Sequence, residues 1–247
     1  MDKSLYVAMT GASANLRAQA AVSQNLANVS TPGFRALLSH TETFKIEGHG
    51  LKSRFDATRA DGGFDDRMGP LLSTGRDTDV ALREGLWLAV ADTEGQEAYT
   101  RGGELSVNQN GLLVTASGRS VLGENGPIAI PPHAKLEIAG DGTISVVPLG
   151  QGPETQAIVA RIKVVEAPGR ELERGLDGLF RRADGEPAVP MAGNVLMTGM
   201  VEGSNVNAAD ALVRMIELAR SFEMQVRSIK TADENARSAN SLLRMSG

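Results

Sequence analysis

The residues of this chain best suited to chemistry are three acids, Asp92, Glu94 and Glu97, which follow an apolar run around Trp87. A paired-carboxylate glycosidase would need two such acids across a cleft, one of them kept protonated by apolar surroundings. The run Asp92-Thr93-Glu94-Gly95 has instead the composition of a solvated turn. A second acidic group, Asp65-Asp66 with Asp77 and Asp79, lacks the ligand spacing and closing glutamate of an EF-hand. The histidines His40, His49 and His133 are scattered, and no two have the separation of a metal-binding helix or finger. Gly118-Arg119-Ser120 and Gly123-Glu124-Asn125-Gly126 neither open a helix nor carry the lysine of a phosphate loop. With no cysteine, disulfides and thiolate metal sites are excluded. The expectation is a protein that is not an enzyme, with no catalytic, cofactor or metal site.

Composition narrows the class further. At 247 residues, 41% hydrophobic and 22% charged, the chain has material for one or two domains beside its terminal segments. The net charge of −5 is concentrated in the middle, while both ends are slightly basic. That distribution does not suit nucleic acid. No run of about 18 apolar residues occurs, so no membrane insertion is expected. The opening Met-Asp-Lys-Ser-Leu-Tyr-Val-Ala lacks a basic region followed by a long apolar core, so no cleaved signal is expected either. Six phenylalanines, two tyrosines and one tryptophan are too few for an aromatic-lined groove.

The elements that position everything else separate by their glycine and proline. Residues 1–32 hold one glycine, Gly11, residues 207–246 hold none, and every proline lies between Pro32 and Pro190. Because a helix interior tolerates these two residues least, helices are expected at the two termini. In the C-terminal segment Leu212, Met215, Ala219, Phe222, Val226, Ile229, Asp233, Ala236, Asn240 and Leu243 alternate by three and four, which is a heptad seam. Asn207 suits its N-cap, with Asp210 in the first turn. At the other end Leu5, Met9, Ala12, Leu16, Ala20 and Leu26 form a similar stripe of smaller residues. It stops at Ser30-Thr31-Pro32-Gly33, because proline pushes its predecessor out of helical geometry. Asn25 and Asn28, near that end, are placed to cap or bind backbone groups.

Between the ends the period becomes strand-like. Leu86 to Ala91 reads as a buried strand, followed by strands at 98–101, 104–107 and 112–115, with Asn110-Gly111 as a turn. Lys135 to Ala139 and Thr143 to Val147 flank Asp141-Gly142, a hairpin signal, and Ala157 to Val165 reads as one further strand. Residues 45–79, rich in glycine and charge, read as a loop or extended linker. The fold class is α+β, with N- and C-terminal helices packing together as a coiled coil and a central antiparallel β-rich domain. The organisation expected is 1–36 helix and motif, 37–80 linker, 81–200 β domain and 201–247 C-terminal helix.

Three ordered blocks of residues carry a resemblance. Asn25-Leu26-Ala27-Asn28-Val29-Ser30-Thr31-Pro32-Gly33-Phe34-Arg35 resembles the N-terminal signature of the bacterial flagellar rod and hook protein family. Residues 85–90, 99–105, 111–115 and 121–123 resemble its central β segment, and Val201-Glu202-Gly203-Ser204-Asn205-Val206-Asn207 its C-terminal signature. The opening Met1 to Ala12 is most similar to the proximal rod branch of this family. The Gly-x-Gly-x-Leu-x-Gln-Gly run of the distal rod branch is not seen around Met191 to Met197, which leaves the distal rod as the weaker alternative.

The resemblance implies a structural subunit of the flagellar basal body. It would be exported through the flagellar type III apparatus without a cleaved signal and assembled into the periplasmic rod that transmits motor torque. Its partners would be other rod proteins and copies of itself. Leu5, Met9, Ala12, Leu16, Leu26, Leu212, Met215, Ala219, Phe222, Val226, Ile229 and Leu243 would then carry subunit contacts. Asn25, Leu26, Ala27, Asn28, Thr31, Gly33 and Phe34, with Ser204, Asn205, Val206 and Asn207, match the family's motifs.

Overall fold

Apolar periodicity at the ends and alternation in the middle produce two compact units in a computed structural model that describes residues 2–45, 55–60, 63–150 and 155–245. His49 and the side chains of Leu5, His40 and Leu243 lie outside the described residues. The first unit comprises residues 1–27, 37–63 and 207–247, and the second residues 28–36 and 64–206. The chain is α+β, and every strand pair among the described residues is antiparallel.

In the first unit helix α1 spans Asp2–Ala27 and helix α2 spans Ala208–Met245. Asn207 caps α2 as its type predicts: its Oδ1 accepts the N–H groups of Ala209 at 3.0 Å and Asp210 at 3.4 Å, two donors the first turn cannot satisfy internally. Strands β1 (His40–Lys45) and β2 (Phe55–Ala60) pair from His40↔Ala60 to Lys45↔Phe55. The stretch expected as a linker thus carries regular structure. Its polar residues gave no apolar alternation, and it is the pairing of one strand with the other that satisfies their backbones.

The second unit opens with β3 (Leu71–Ser73), β4 (Val80–Leu82), β5 (Leu86–Ala91), β6 (Glu97–Thr100), β7 (Leu105–Val107) and β8 (Leu113–Thr115). It continues through β9 (Leu122–Gly123), β10 (Gly126–Pro127), β11 (His133–Ile138), β12 (Thr143–Pro148), β13 (Ala157–Arg161) and β14 (Val164–Glu166). β15 (Leu172–Arg174), β16 (Phe180–Arg182), β17 (Leu196–Thr198) and β18 (Met200–Glu202) complete it.

A five-stranded sheet, ordered β14-β5-β6-β16-β15, is the centre of this unit. The unbroken run Leu86-Trp87-Leu88-Ala89-Val90 reflects burial on both faces, since successive side chains of a strand point opposite ways. Leu86, Leu88 and Val90 join one apolar cluster with Leu105, Leu113 and Ile144, while Trp87 and Ala89 join a second with Tyr99, Val165 and Phe180. The Trp87 ring lies 4.7 Å from Phe180 and 5.9 Å, edge to face, from Phe64. Its Nε1–H donates to the Ala167 carbonyl at 2.9 Å.

Asp141-Gly142 makes the expected hairpin between β11 and β12, with Gly142 at φ 86°. The single strand expected over residues 157–165 is two. β13 pairs with β12 in a three-stranded sheet, and β14 pairs with β5 in the central one. Ile162, whose N–H is taken by the Gly142 carbonyl at 2.8 Å, marks the change of partner. Apolar residues continue through that point, so composition hides the break.

Candidate functional site

The N- and C-terminal motif residues of the β-rich unit converge on one buried carboxylate. Gly33 leaves the turn after α1 at φ 69°, and its N–H donates to the Glu202 carbonyl at 2.7 Å. A Cβ here would stand 2.3 Å from the Arg101 carbonyl carbon, so only glycine fits. That approach places Arg35 beside Glu202, with Nη1 donating to Oε1 at 2.5 Å. Arg101, at the end of β6, donates from Nε to Oε2 at 2.7 Å. The Gly69 N–H completes the set at 2.8 Å from Oε1.

Arg35 and Arg101 are each 1% exposed and Glu202 is fully buried. Arg101 is also fixed by carbonyls: Nη1 donates to Leu86 at 2.6 Å and Arg83 at 3.1 Å, and Nη2 to Leu82 at 3.1 Å. Burial pushes the Arg101 guanidinium below its ordinary range, and the Glu202 carboxylate opposes that shift. Such a charge is tolerable only because every hydrogen on it that the structure assigns has an acceptor. What this arrangement can do is mechanical: it ties the segment after α1, the end of β6 and the segment before α2 to one point.

The asparagines of the motifs finish the tie. Asn25 is 9% exposed; its Nδ2 donates to the Leu37 carbonyl at 2.9 Å and its Oδ1 accepts the Leu37 N–H at 2.8 Å. Asn205 accepts the Ala36 N–H at 2.7 Å and donates to the carbonyls of Asp65 and Arg67, both at 2.9 Å. Thr31 donates its hydroxyl to Asn28 Oδ1 at 3.1 Å, and Ser204 Oγ accepts the Val206 N–H at 3.3 Å. Phe34 is buried beneath the Arg174 guanidinium, 4.6 Å above its ring. Asn28, Thr31, Gly33 and Phe34 therefore sit together in the β-rich unit, while Asn25, Leu26 and Ala27 end α1. Arg101 and Glu202 were not singled out as site residues from sequence. Their signal was a charged residue directly ahead of glycine at the end of an apolar strand.

The candidate interface residues divide by exposure. In α1, Ala12 is buried, Leu26 half-buried, and Met9 and Leu16 are 53% and 51% exposed. In α2, Met215, Ala219, Phe222, Val226 and Ile229 are half-buried and Leu212 is 48% exposed. Sequence reasoning passed over Val213, Ile216 and Met224, which are 56%, 56% and 64% exposed and extend the apolar surface of α2.

Of the acids that opened the sequence analysis, Asp92 and Glu97 have their carboxylates engaged. Asp92 accepts the N–H groups of Glu94 and Gln96 at 2.8 and 2.9 Å and an Arg181 Nη2 hydrogen at 2.9 Å. The Arg181 bond first, then those backbone groups, hold its carboxyl below the usual range, the reverse of what a general acid requires. Glu97 is bonded by Lys163 at 2.6 Å and Tyr99 at 3.0 Å. Among the described residues no three potential ligands gather for a metal ion, and no helix is long and apolar enough to cross a membrane.

Comparison with known proteins follows the same three blocks. Residues 5–35 match the family described as "Flagella basal body rod protein", residues 84–146 the "Flagellar hook protein FlgE/F/G D1 domain", and residues 197–242 the "Flagellar basal body rod FlgEFG protein C-terminal". This order of matches defines the class of flagellar rod and hook proteins, and the chain belongs to the flagellar basal-body rod protein family. It is 45% identical over 254 residues to the flagellar basal-body rod protein FlgF of Escherichia coli strain K12, with all of both chains covered. It is 44% identical over 252 residues to FlgF of Salmonella typhimurium, again over all of both chains. The rod protein FlgG of Buchnera aphidicola from Acyrthosiphon pisum is 35% identical over 257 residues, covering 95% of this chain and 97% of that one.

Proposed function

We propose that this chain is a structural subunit of the flagellar basal-body rod, of the FlgF or proximal type, and that its work is mechanical and not catalytic. The observation that carries this is the 45% identity to a FlgF rod protein over the whole of both chains. In this reading the terminal segments 1–36 and 201–247 supply the shaft contacts, 81–200 forms the β body, and 37–80 joins them. The helices pair as a coiled coil. In support, Asn15 Nδ2 donates to Ser221 Oγ at 2.8 Å, and a Cβ on Gly11 would meet the Gln225 side chain at 2.9 Å, so glycine permits that approach. The partners are copies of this chain and other rod proteins, brought together in the periplasm after export by the flagellar type III apparatus.

Exposed apolar side chains on both helices, Met9, Leu16, Leu212, Val213, Ile216 and Met224, are the surface such contacts would cover. Burial of one large apolar side chain contributes about 1.5–3 kcal/mol, so a few per subunit give a joint that resists twist. The test is complementation. In a strain deleted for its own copy, this chain should restore rods and swimming, and purified basal bodies should contain it. Swimming cells whose basal bodies lack the chain would overturn the proposal.

A further inference from the structure

The β15–β16 hairpin turns at Gly175-Leu176-Asp177-Gly178, and Leu176 at its tip is fully exposed. A turn that only reverses the chain is usually built from glycine, asparagine, aspartate or serine, because an apolar side chain there meets nothing but water. This turn is also braced. The Gly175 N–H donates to the Leu179 carbonyl at 2.8 Å, and the Gly178 N–H to the Gly175 carbonyl at 3.1 Å. Asp177 accepts the Leu179 N–H at 3.2 Å and two Arg181 hydrogens, from Nη1 at 3.1 Å and Nη2 at 2.7 Å. Arg181 Nη2 also reaches Asp92, which follows β5, at 2.9 Å. A leucine carried on a turn fixed in this way brings less disorder to be lost on docking.

The same unit holds a recess of matching size. A cavity of about 250 Å³ opens between the turn at Thr31 and Pro32, the 115–118 turn and the hairpin. Its accessible lining is more apolar than polar, and Thr31 and Ala116 in its walls are exposed, so it can be entered from solvent. It is smaller than the ~300–1,000 Å³ of drug-sized ligand sites and larger than the ~150 Å³ of an engineered core cavity that holds one benzene, so a single aliphatic side chain fits. Asp177 and Gly178 line the cavity of their own copy and Leu176 does not, which leaves the leucine for another. Burial pulls the Arg174 guanidinium in the wall below its ordinary range and no described carboxylate offsets it, which suits the arrival of an acid beside that leucine.

We propose that Leu176 of one copy seats in this cavity of a second copy, an inference that rests on the reading of the chain as a rod subunit. Knob and recess are different parts of one chain, so the contact is heterologous and need not close at two copies. One buried leucine does not hold two free chains together. Between copies already aligned by their terminal helices it acts at high effective concentration and fixes their register.

The chain has no cysteine, so single cysteines report this contact cleanly. Two differently tagged versions, Leu176→Cys and Ala116→Cys, are expressed together in a strain deleted for its own copy, and the purified basal bodies are treated with a mild thiol oxidant. A disulfide joining position 176 of one version to position 116 of the other is expected by mass spectrometry, and neither version expressed alone should cross-link. Leu176→Cys paired with a cysteine at the exposed Ile158 should give none. Leu176→Asp should lose swimming in viscous medium and Leu176→Met should keep it, with the urea midpoint of the purified chain unchanged in both, as befits an exposed position. Basal bodies that contain both versions without the 176–116 disulfide, a yield no greater than with Ile158→Cys, or full swimming of Leu176→Asp would overturn the proposal and leave the rod reading standing. Swimming cells whose basal bodies lack even the unsubstituted chain would overturn the rod reading, and the proposal with it.

Discussion

Arg101 and Glu202, 101 positions apart in sequence, form a fully buried pair in which one carboxylate oxygen lies 2.7 Å from Nε and 2.6 Å from Nη2. Removing one member of such a pair leaves the other charged and unsolvated, at a cost of about 3–5 kcal/mol. Glu202→Gln keeps the shape and removes the charge, and it strands Arg35 as well. Urea denaturation of the full chain should show that loss as a lower midpoint. A midpoint equal to the parent's would mean the cluster does not hold the unit together.

Asn25 closes both of its amide hydrogen bonds on the backbone of a single residue, Leu37. In Asn25→Ala the Leu37 N–H and C=O lose their partners, each worth roughly 1–3 kcal/mol when left unsatisfied in a buried setting. The Leu37 amide should exchange with deuterium markedly faster in the variant, while amides of β5 keep their protection. Equal exchange at Leu37 in both proteins would refute the role of this clamp.

Gly33→Ala sets a methyl group 2.3–2.5 Å from the backbone of Arg101 and Gly102, at a φ of 69° that alanine avoids. The expected loss is at least about 2 kcal/mol, from strain and displaced backbone together. A thermal melt of the variant should shift downward, and an unchanged Tm would contradict the close approach.

Tyr99 gives a pH dependence of known sign. Burial, only partly offset by the hydrogen bond from the Ala188 N–H, pushes its phenol up to about 12. The folded protein therefore holds this proton more tightly than the unfolded chain, whose tyrosine titrates near ~10. The resulting stability is full below about pH 10 and is lost as the pH rises through 12. Ultraviolet titration in a Tyr6→Phe background should find the Tyr99 transition near 12. A transition at the ordinary tyrosine value would show the ring to be hydrated.

What was legible in the sequence was local. The run Leu86 to Ala91 became β5 with the same boundaries, Asn207 became the cap of α2, and Asp141-Gly142 the turn of β11 and β12. Each is decided within a few residues, by apolar patterning or by a side chain suited to one backbone geometry. The node around Glu202 was not, because Arg35, Arg101 and Glu202 carry charges that sequence reading assigns to solvent. Their partners lie 101 and 167 positions away. β1 and β2 were hidden for a related reason: His40-Thr41-Glu42-Thr43-Phe44-Lys45 is polar, and pairing with another strand, not apolar alternation, defines it.

We propose that the exposed apolar side chains on the terminal helices are there for neighbouring subunits. Ile216, 56% exposed on α2, tests it most directly, because an exposed substitution leaves the isolated fold within about 0.5 kcal/mol of the parent. The measurement is swimming of cells whose only copy carries Ile216→Asp, with helix content and urea midpoint of the purified chain as controls. The isolated protein should be unchanged, and the cells should build no rod and not swim. Full motility with Ile216→Asp in assembled basal bodies would contradict it.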